Sequence, residues 1–128
     1  MVSKTQAAKI ITLILGIVVV FQLLLIAGLP LGKAAFGGEH RVLPAGFRIA
    51  SVISILLYLA IILILRARAG LSNRVKNQKL IRNGSWTVVV IFALGFIMNA
   101  ISRSRYENFI WAPVLLLSVY LSWTIAKD

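Results

Sequence analysis

The chain has 128 residues, 60% of them hydrophobic and 13% charged, with a mean hydropathy of +0.96 and a net charge of +11 at pH 7. So short a chain has too much surface to hide that much apolar matter inside a water-soluble fold, and lipid is expected to solvate much of it. Having no cysteine, it is excluded from disulfide, thiol redox and iron–sulfur chemistry, and its single histidine cannot form a histidine-rich metal site, so neither cofactor nor metal is expected.

The first apolar run is Ile10 to Pro30, preceded by Lys4 and Lys9. At 1.5 Å rise, about 20 residues cross the ~30 Å hydrocarbon layer. The run is too long for the core of a signal peptide, and no small-x-small cleavage site precedes a polar region, so it is expected to stay as a membrane helix. The second run, Ile49 to Leu65, follows a break at Pro44 and Gly46. Arg48 opens it, and Arg66 and Arg68 close it, where a helix end favours cations.

A basic connection separates the second run from the third, with Arg74, Lys76, Lys79 and Arg82 interspersed with Val75, Leu80 and Ile81. Together with Arg66 and Arg68 these residues are expected to bind anionic lipid headgroups, an acidic protein partner being the alternative. The third run, Trp86 to Ile101, follows Asn83, Gly84 and Ser85, which are expected to supply a turn and an N-cap. The fourth run is Phe109 to Ala126, with Pro113 in its first turns, where a missing amide costs little. Continuous apolarity argues against membrane strands, which alternate apolar and polar residues. The expected architecture is therefore all-α. It is one four-helix transmembrane bundle over residues 1–128, with helices at about 8–29, 47–67, 85–101 and 109–126.

Nine of the fourteen lysines and arginines fall in the two tails and the middle connection, and five in the first and third loops. The positive-inside rule then puts both termini in the cytoplasm and the first and third loops outside. The basic charge is accounted for by helix capping and topology, and no aromatic–basic platform or helix-turn-helix accompanies it, so nucleic acid is not an expected partner.

The outer loops carry the most specific chemistry. Glu39, His40, Arg41 and Arg48 border the first, and Asn99, Arg103, Arg105 and Glu107 the third. In a compact bundle the loops are neighbours, so Glu39 is expected to meet Arg103 or Arg105, and Glu107 to meet Arg41 or Arg48. Such a cluster either ties the loops together or forms an extracytoplasmic pocket for an anion or a protein partner. A hydrolytic role, with Glu39 or Glu107 as base and His40 as acid, lacks a nucleophile motif, so a non-enzymatic role is expected.

Within the helices, Gln22, Ser51, Ser54, Ser118, Ser122 and Thr124 read as interhelical hydrogen-bonding groups. Gly16, Gly95, Ala60 and Ala93 read as close-approach points, and Trp86, Trp111, Trp123, Tyr106 and Tyr120 as an interfacial aromatic belt. No carboxylate stands within an apolar run, which disfavours a proton-coupled transporter.

The stretches LPLGKAAFGGEHRVLPAGFRIASV and NAISRSRYENFIWAPV resemble a group of small bacterial four-helix membrane proteins to which no activity is assigned. The resemblance implies a multi-pass protein of the bacterial cytoplasmic membrane and carries over no functional residue. The expected role is that of an interaction or accessory protein, associating with lipid, with another membrane protein or with its own copies. The alternative is a minimal channel or transporter working as an oligomer.

Overall fold

The computed structural model describes residues 2–127. Four helices run up and down: α1 (Lys4–Ile26), α2 (Ala45–Arg68), α3 (Gln78–Ala100) and α4 (Ala112–Ala126), the last entered through a π turn at Glu107–Trp111. No strand occurs among the described residues. Each helix, with the π turn counted into the fourth, is long and apolar enough to cross a membrane. Much of that apolar surface faces outward: Leu13, Ile49, Leu56, Leu94 and Met98 are all more than half exposed. Water would not tolerate contiguous apolar surface on this scale, whereas hydrocarbon does. The molecule is a multi-pass membrane protein.

Local signals set the helix ends, and several differ from the boundaries expected from hydropathy. α1 begins earlier, at Lys4, because Ser3 and Gln6 form a reciprocal capping box. α3 begins at Gln78 instead of near Trp86, with Asn77 as its N-cap accepting from the Leu80 amide at 3.1 Å. Asn83, Gly84 and Ser85 are therefore helical and form no turn. Gly84 is instead where α2 meets α3, since a Cβ there would stand 3.1 Å from Ile64 Cδ1. The expected close approach at Gly16 is absent, with nothing within 4 Å of its would-be Cβ, while Gly95 faces Leu115 at 3.5 Å.

The π turn follows from Pro113. Lacking an N–H, proline cannot donate to the Phe109 carbonyl, and its ring crowds that carbonyl. The chain widens instead, and the Ala112 amide reaches back to the Glu107 carbonyl. This sets Glu107 and Trp111 toward the first loop.

The helices form a ring in chain order, and the α2–α3 seam is the slightest of its four sides. Packing is uneven along the axis. At the end bearing the termini and the 69–77 connection (the terminal end), Ile11, Leu15, Ile61, Leu65, Val88, Phe92, Leu121 and Ile125 make one buried core. At the opposite end (the loop end) a smaller cluster, Leu25, Ala35 and Leu43, joins α1 to the first loop and is flanked by Phe21, Phe36 and Phe47. Between the two the helices do not meet in the middle.

Candidate functional site: a cavity roofed by two loops

The gap between the helices is a cavity of about 890 Å³ in the loop-end half of the bundle. Its floor reaches Leu15 and Phe92, which belong to the terminal-end core. Its walls come from all four helices: Ile14, Val18 and Phe21 on α1, Leu57 and Tyr58 on α2, Ile91 and Gly95 on α3, Val114 and Leu115 on α4. Polar atoms concentrate near the roof, where Gln22, Asn99, Ser102, Arg103, Glu39 and Glu107 border the space. Six of its lining residues are exposed: Gly37, Glu39 and Arg103 at the loop end, and Leu57 at 42%, Met98 at 68% and Ile101 at 77%. The last three lie on α2 and at the end of α3, so the cavity opens sideways along the α2–α3 seam as well as toward the loop end.

The roof is a folded loop, not a loose connection. Two short 3-10 turns, Gly32–Ala34 and Phe36–Gly38, carry the chain back over the bundle. Gly32 donates its amide to the Arg41 carbonyl at 2.8 Å, and Gly38 donates to Ala35 at 2.8 Å. Phe36 adopts a φ of 47°, an uncommon conformation for a bulky residue, and its ring stacks on Phe47 with centroids 5.1 Å apart.

Three contacts from the third loop and the start of the last span hold this roof. Glu107, 8% exposed, accepts hydrogen bonds from the Gly37 amide at 3.1 Å and from the Ser102 hydroxyl. Ser104 donates its hydroxyl to the Lys33 carbonyl, and the Trp111 indole N–H donates to the Ala34 carbonyl at 2.8 Å. Asn108 steadies the same corner from below: its amide nitrogen reaches the Asn99, Ala100 and Ser102 carbonyls at 2.7 to 3.1 Å, satisfying the end of α3.

The loops thus meet, as their topology implied, but through different partners. Among the described residues, neither Glu39 nor Glu107 forms an ion pair with an arginine, so the expected pairings are not made. A buried carboxylate satisfied by neutral donors avoids the desolvation cost of bringing a guanidinium in with it. The arginines are deployed elsewhere. Arg48 donates from Nε to the Leu43 carbonyl at 2.8 Å and lies over Gly28, sealing the start of α2 to the end of α1. Arg41 is exposed, and Arg105 shares a shallow surface dent with Tyr106, Phe109 and Ile110. His40 lies against Phe47, with ring centroids 5.5 Å apart, and does not line the cavity.

Of the eight loop residues singled out, the structure therefore brings Glu39, Asn99, Arg103 and Glu107 to one cavity and leaves His40, Arg41, Arg48 and Arg105 outside it. From the sequence, Gln22 reads as interhelical glue and Trp111 as an interfacial anchor. Gln22 instead lines the cavity with its carbonyl oxygen buried and without a hydrogen-bond partner, and Trp111 helps hold the roof against Phe21 at 5.1 Å.

The basic residues of the other end also divide. Arg66 and Arg68 turn onto the bundle, donating to the Thr12 hydroxyl at 3.2 Å and to the Ala126 carbonyl at 2.8 Å. Arg74, Lys76, Lys79 and Arg82 are exposed. No protein-family model matches this chain, and no curated protein or solved structure matches it either.

Proposed function

We propose that this protein binds an amphiphilic molecule drawn from the surrounding lipid, its tail lying in the cavity and its head under the roof of the two loops. One observation carries the reading: the cavity of about 890 Å³ has mostly apolar walls, in which the Ser54 and Ser118 hydroxyls are bonded to their own helices, most of its polar groups at one end, and a lateral opening flanked by exposed apolar side chains. Ligand sites of about 300–1,000 Å³ with mostly apolar linings and a few convergent polar groups are the usual form of small-molecule pockets. A ligand dissolved in hydrocarbon would enter between α2 and α3 without crossing the roof. The floor favours binding over conduction, since a path through a single chain would have to break the packing of Leu15 and Phe92.

We place the loop end at the extracytoplasmic face of a bacterial cytoplasmic membrane, with both termini inside. The charge asymmetry supports the orientation, and the resemblance of the two outer stretches supports the setting. The exposed cluster Arg74, Lys76, Lys79 and Arg82 would then lie against anionic headgroups of the inner leaflet. Because the chain has no cysteine, single cysteines report on the orientation without background. A cysteine at Val42, exposed in the first loop, is expected to react with a membrane-impermeant thiol reagent in intact cells, and one at Asn73 only after lysis. The opposite pattern would invert the topology.

Binding is tested through Trp111, the indole that lines the cavity. A Trp86→Phe, Trp123→Phe form in nanodiscs leaves it as the sole reporter. A single-chain amphiphile brominated on its tail is expected to quench it saturably. Gly95→Phe, which sends a ring toward the wall residue Leu115, is expected to weaken that quenching by about tenfold or more, equivalent to about 1.4 kcal/mol. Quenching that rises linearly with probe and ignores Gly95→Phe would reflect bulk partitioning and end the proposal.

A further inference from the structure

We infer, resting on the binding reading above, that the bound amphiphile carries an oxygen within its tail, well below the head, which accepts a hydrogen bond from the Tyr58 hydroxyl. In water, apolar walls alone would draw in a tail. In a membrane they add little, because the surrounding lipid is as apolar as the walls. Selection in the lower half of the cavity therefore has to come from polar groups that hydrocarbon leaves unsatisfied.

Tyr58 lies on the inward face of α2. Ser51, Ile61 and Leu65 are buried there, and with Ser54 and Tyr58 they recur at helical spacing as one stripe. Tyr58 packs against the core that contains the floor residues Leu15 and Phe92, and it borders the cavity. Its hydroxyl makes no hydrogen bond among the described residues and, unlike the Gln22 carbonyl oxygen, is not sealed away from contact. A tyrosine hydroxyl withdrawn from water normally finds a partner, and hydrocarbon supplies none. Ser54 and Ser118 also border the cavity, but each has given its proton to its own helix, at the Ala50 carbonyl (2.9 Å) and the Val114 carbonyl (2.8 Å). Of the three hydroxyls only that of Tyr58 keeps its proton free, so the complementary group is an acceptor: a keto, ester, ether or hydroxyl oxygen.

The helices give the distance from head to oxygen. On α1, Gln22 near the roof and Leu15 at the floor are seven residues apart, and on α3 so are Asn99 and Phe92. At 1.5 Å per residue both helices give a depth of about 10 Å. An extended carbon chain advances about 1.25 Å per carbon, from a 1.52 Å bond and an angle near 111°, so the depth takes up about eight carbons. A plain alkyl chain has no acceptor at that depth. Tyr58 thus distinguishes the ligand from the lipid around it.

The test uses the form with Trp111 as sole reporter in phosphatidylcholine nanodiscs, and measures relief of quenching as competitors displace the tail-brominated amphiphile. Three competitors share a phosphocholine head and one tail length: a plain tail, a tail with a ketone about eight carbons from the head, and a tail with a ketone beside the head. The deep ketone is expected to compete about threefold to tenfold better than the plain tail, the contribution of one hydrogen bond in a membrane. The ketone beside the head is expected to match the plain tail. Tyr58→Phe is expected to abolish the difference and to leave competition by the plain tail unchanged, which also shows that the variant folds. Equal competition by all three, or by the two ketones, overturns the deep oxygen and leaves the binding reading intact. A deep-ketone preference that survives Tyr58→Phe, or a variant that loses the plain tail as well, overturns the role of Tyr58. A brominated probe that does not saturate removes the binding reading, and this inference with it.

Discussion

Glu107→Ala is expected to release the roof and destabilise the loop end by about 3 kcal/mol, through the loss of two hydrogen bonds to a charged acceptor. The carboxylate bonds both the first loop, at the Gly37 amide, and the third, at Ser102. Alanine strands the Gly37 amide and frees the strained Phe36 turn beside it. A non-glycine residue at positive φ costs of order 1–3 kcal/mol and persists only where its surroundings impose it, so the turn should relax once the tie is cut. Thermal unfolding in detergent should show the loss. Limited proteolysis should locate it, with new cleavage between Lys33 and Arg41 while the terminal end stays protected by its own core. Glu107→Gln should retain most of the stability, since an amide oxygen can still accept from Gly37. Equal stability of wild type and Glu107→Ala, with no new cleavage, would show that the Ser104 and Trp111 contacts suffice to hold the loop.

The same residue shows what sequence could and could not reveal. Continuous apolar runs made four membrane helices legible, because period and length suffice when lipid is the solvent. Helix ends were less legible. The first two turns of α3, Gln78 to Ser85, are polar and basic enough to pass for a connection, and Asn83-Gly84-Ser85 passes for a turn. Yet Ile81, Ser85, Val88 and Phe92 recur at helical spacing and are the buried face of α3, a signal that reaches back past Trp86.

Topology brought Glu39, Asn99, Arg103 and Glu107 to the correct end of the molecule but could not supply their partners. Opposite charges in facing loops suggested salt bridges, whereas the folded loops satisfy Glu107 with a glycine amide and a serine hydroxyl, groups that carry no long-range signal in a sequence. Nor does a cavity have a sequence signature. Gln22 is a lone polar residue in an apolar helix whether it bridges two helices or faces an open space, and only the splaying of the loop-end half distinguishes the two.

The largest steric effect is expected at Gly32, where one added methyl group should cost about 3 kcal/mol, the upper part of the usual range for forced overpacking. A Cβ there would lie 2.1 Å from the His40 carbonyl oxygen and 2.8 Å from that of Arg41. Both obstacles are backbone, so neither can swing aside as a side chain would. Making room would pull Gly32 off Arg41 and break the 2.8 Å hydrogen bond that folds the first loop back on itself. That loop supplies the Gly37 amide to Glu107 and the Ala34 carbonyl to Trp111, so the defect should spread from the turn to the whole roof. Gly46→Ala is the matched control. Gly46 stands in the first turn of α2 with nothing within 4 Å of its would-be Cβ, and alanine there should be neutral or stabilising by up to about 1 kcal/mol. The same chemical change at two glycines fourteen positions apart should therefore move the unfolding temperature in opposite directions, or move it only at Gly32. A Gly32→Ala protein as stable as wild type would mean that the first loop does not close over the bundle, and the cavity would then have no roof under which to hold a polar head.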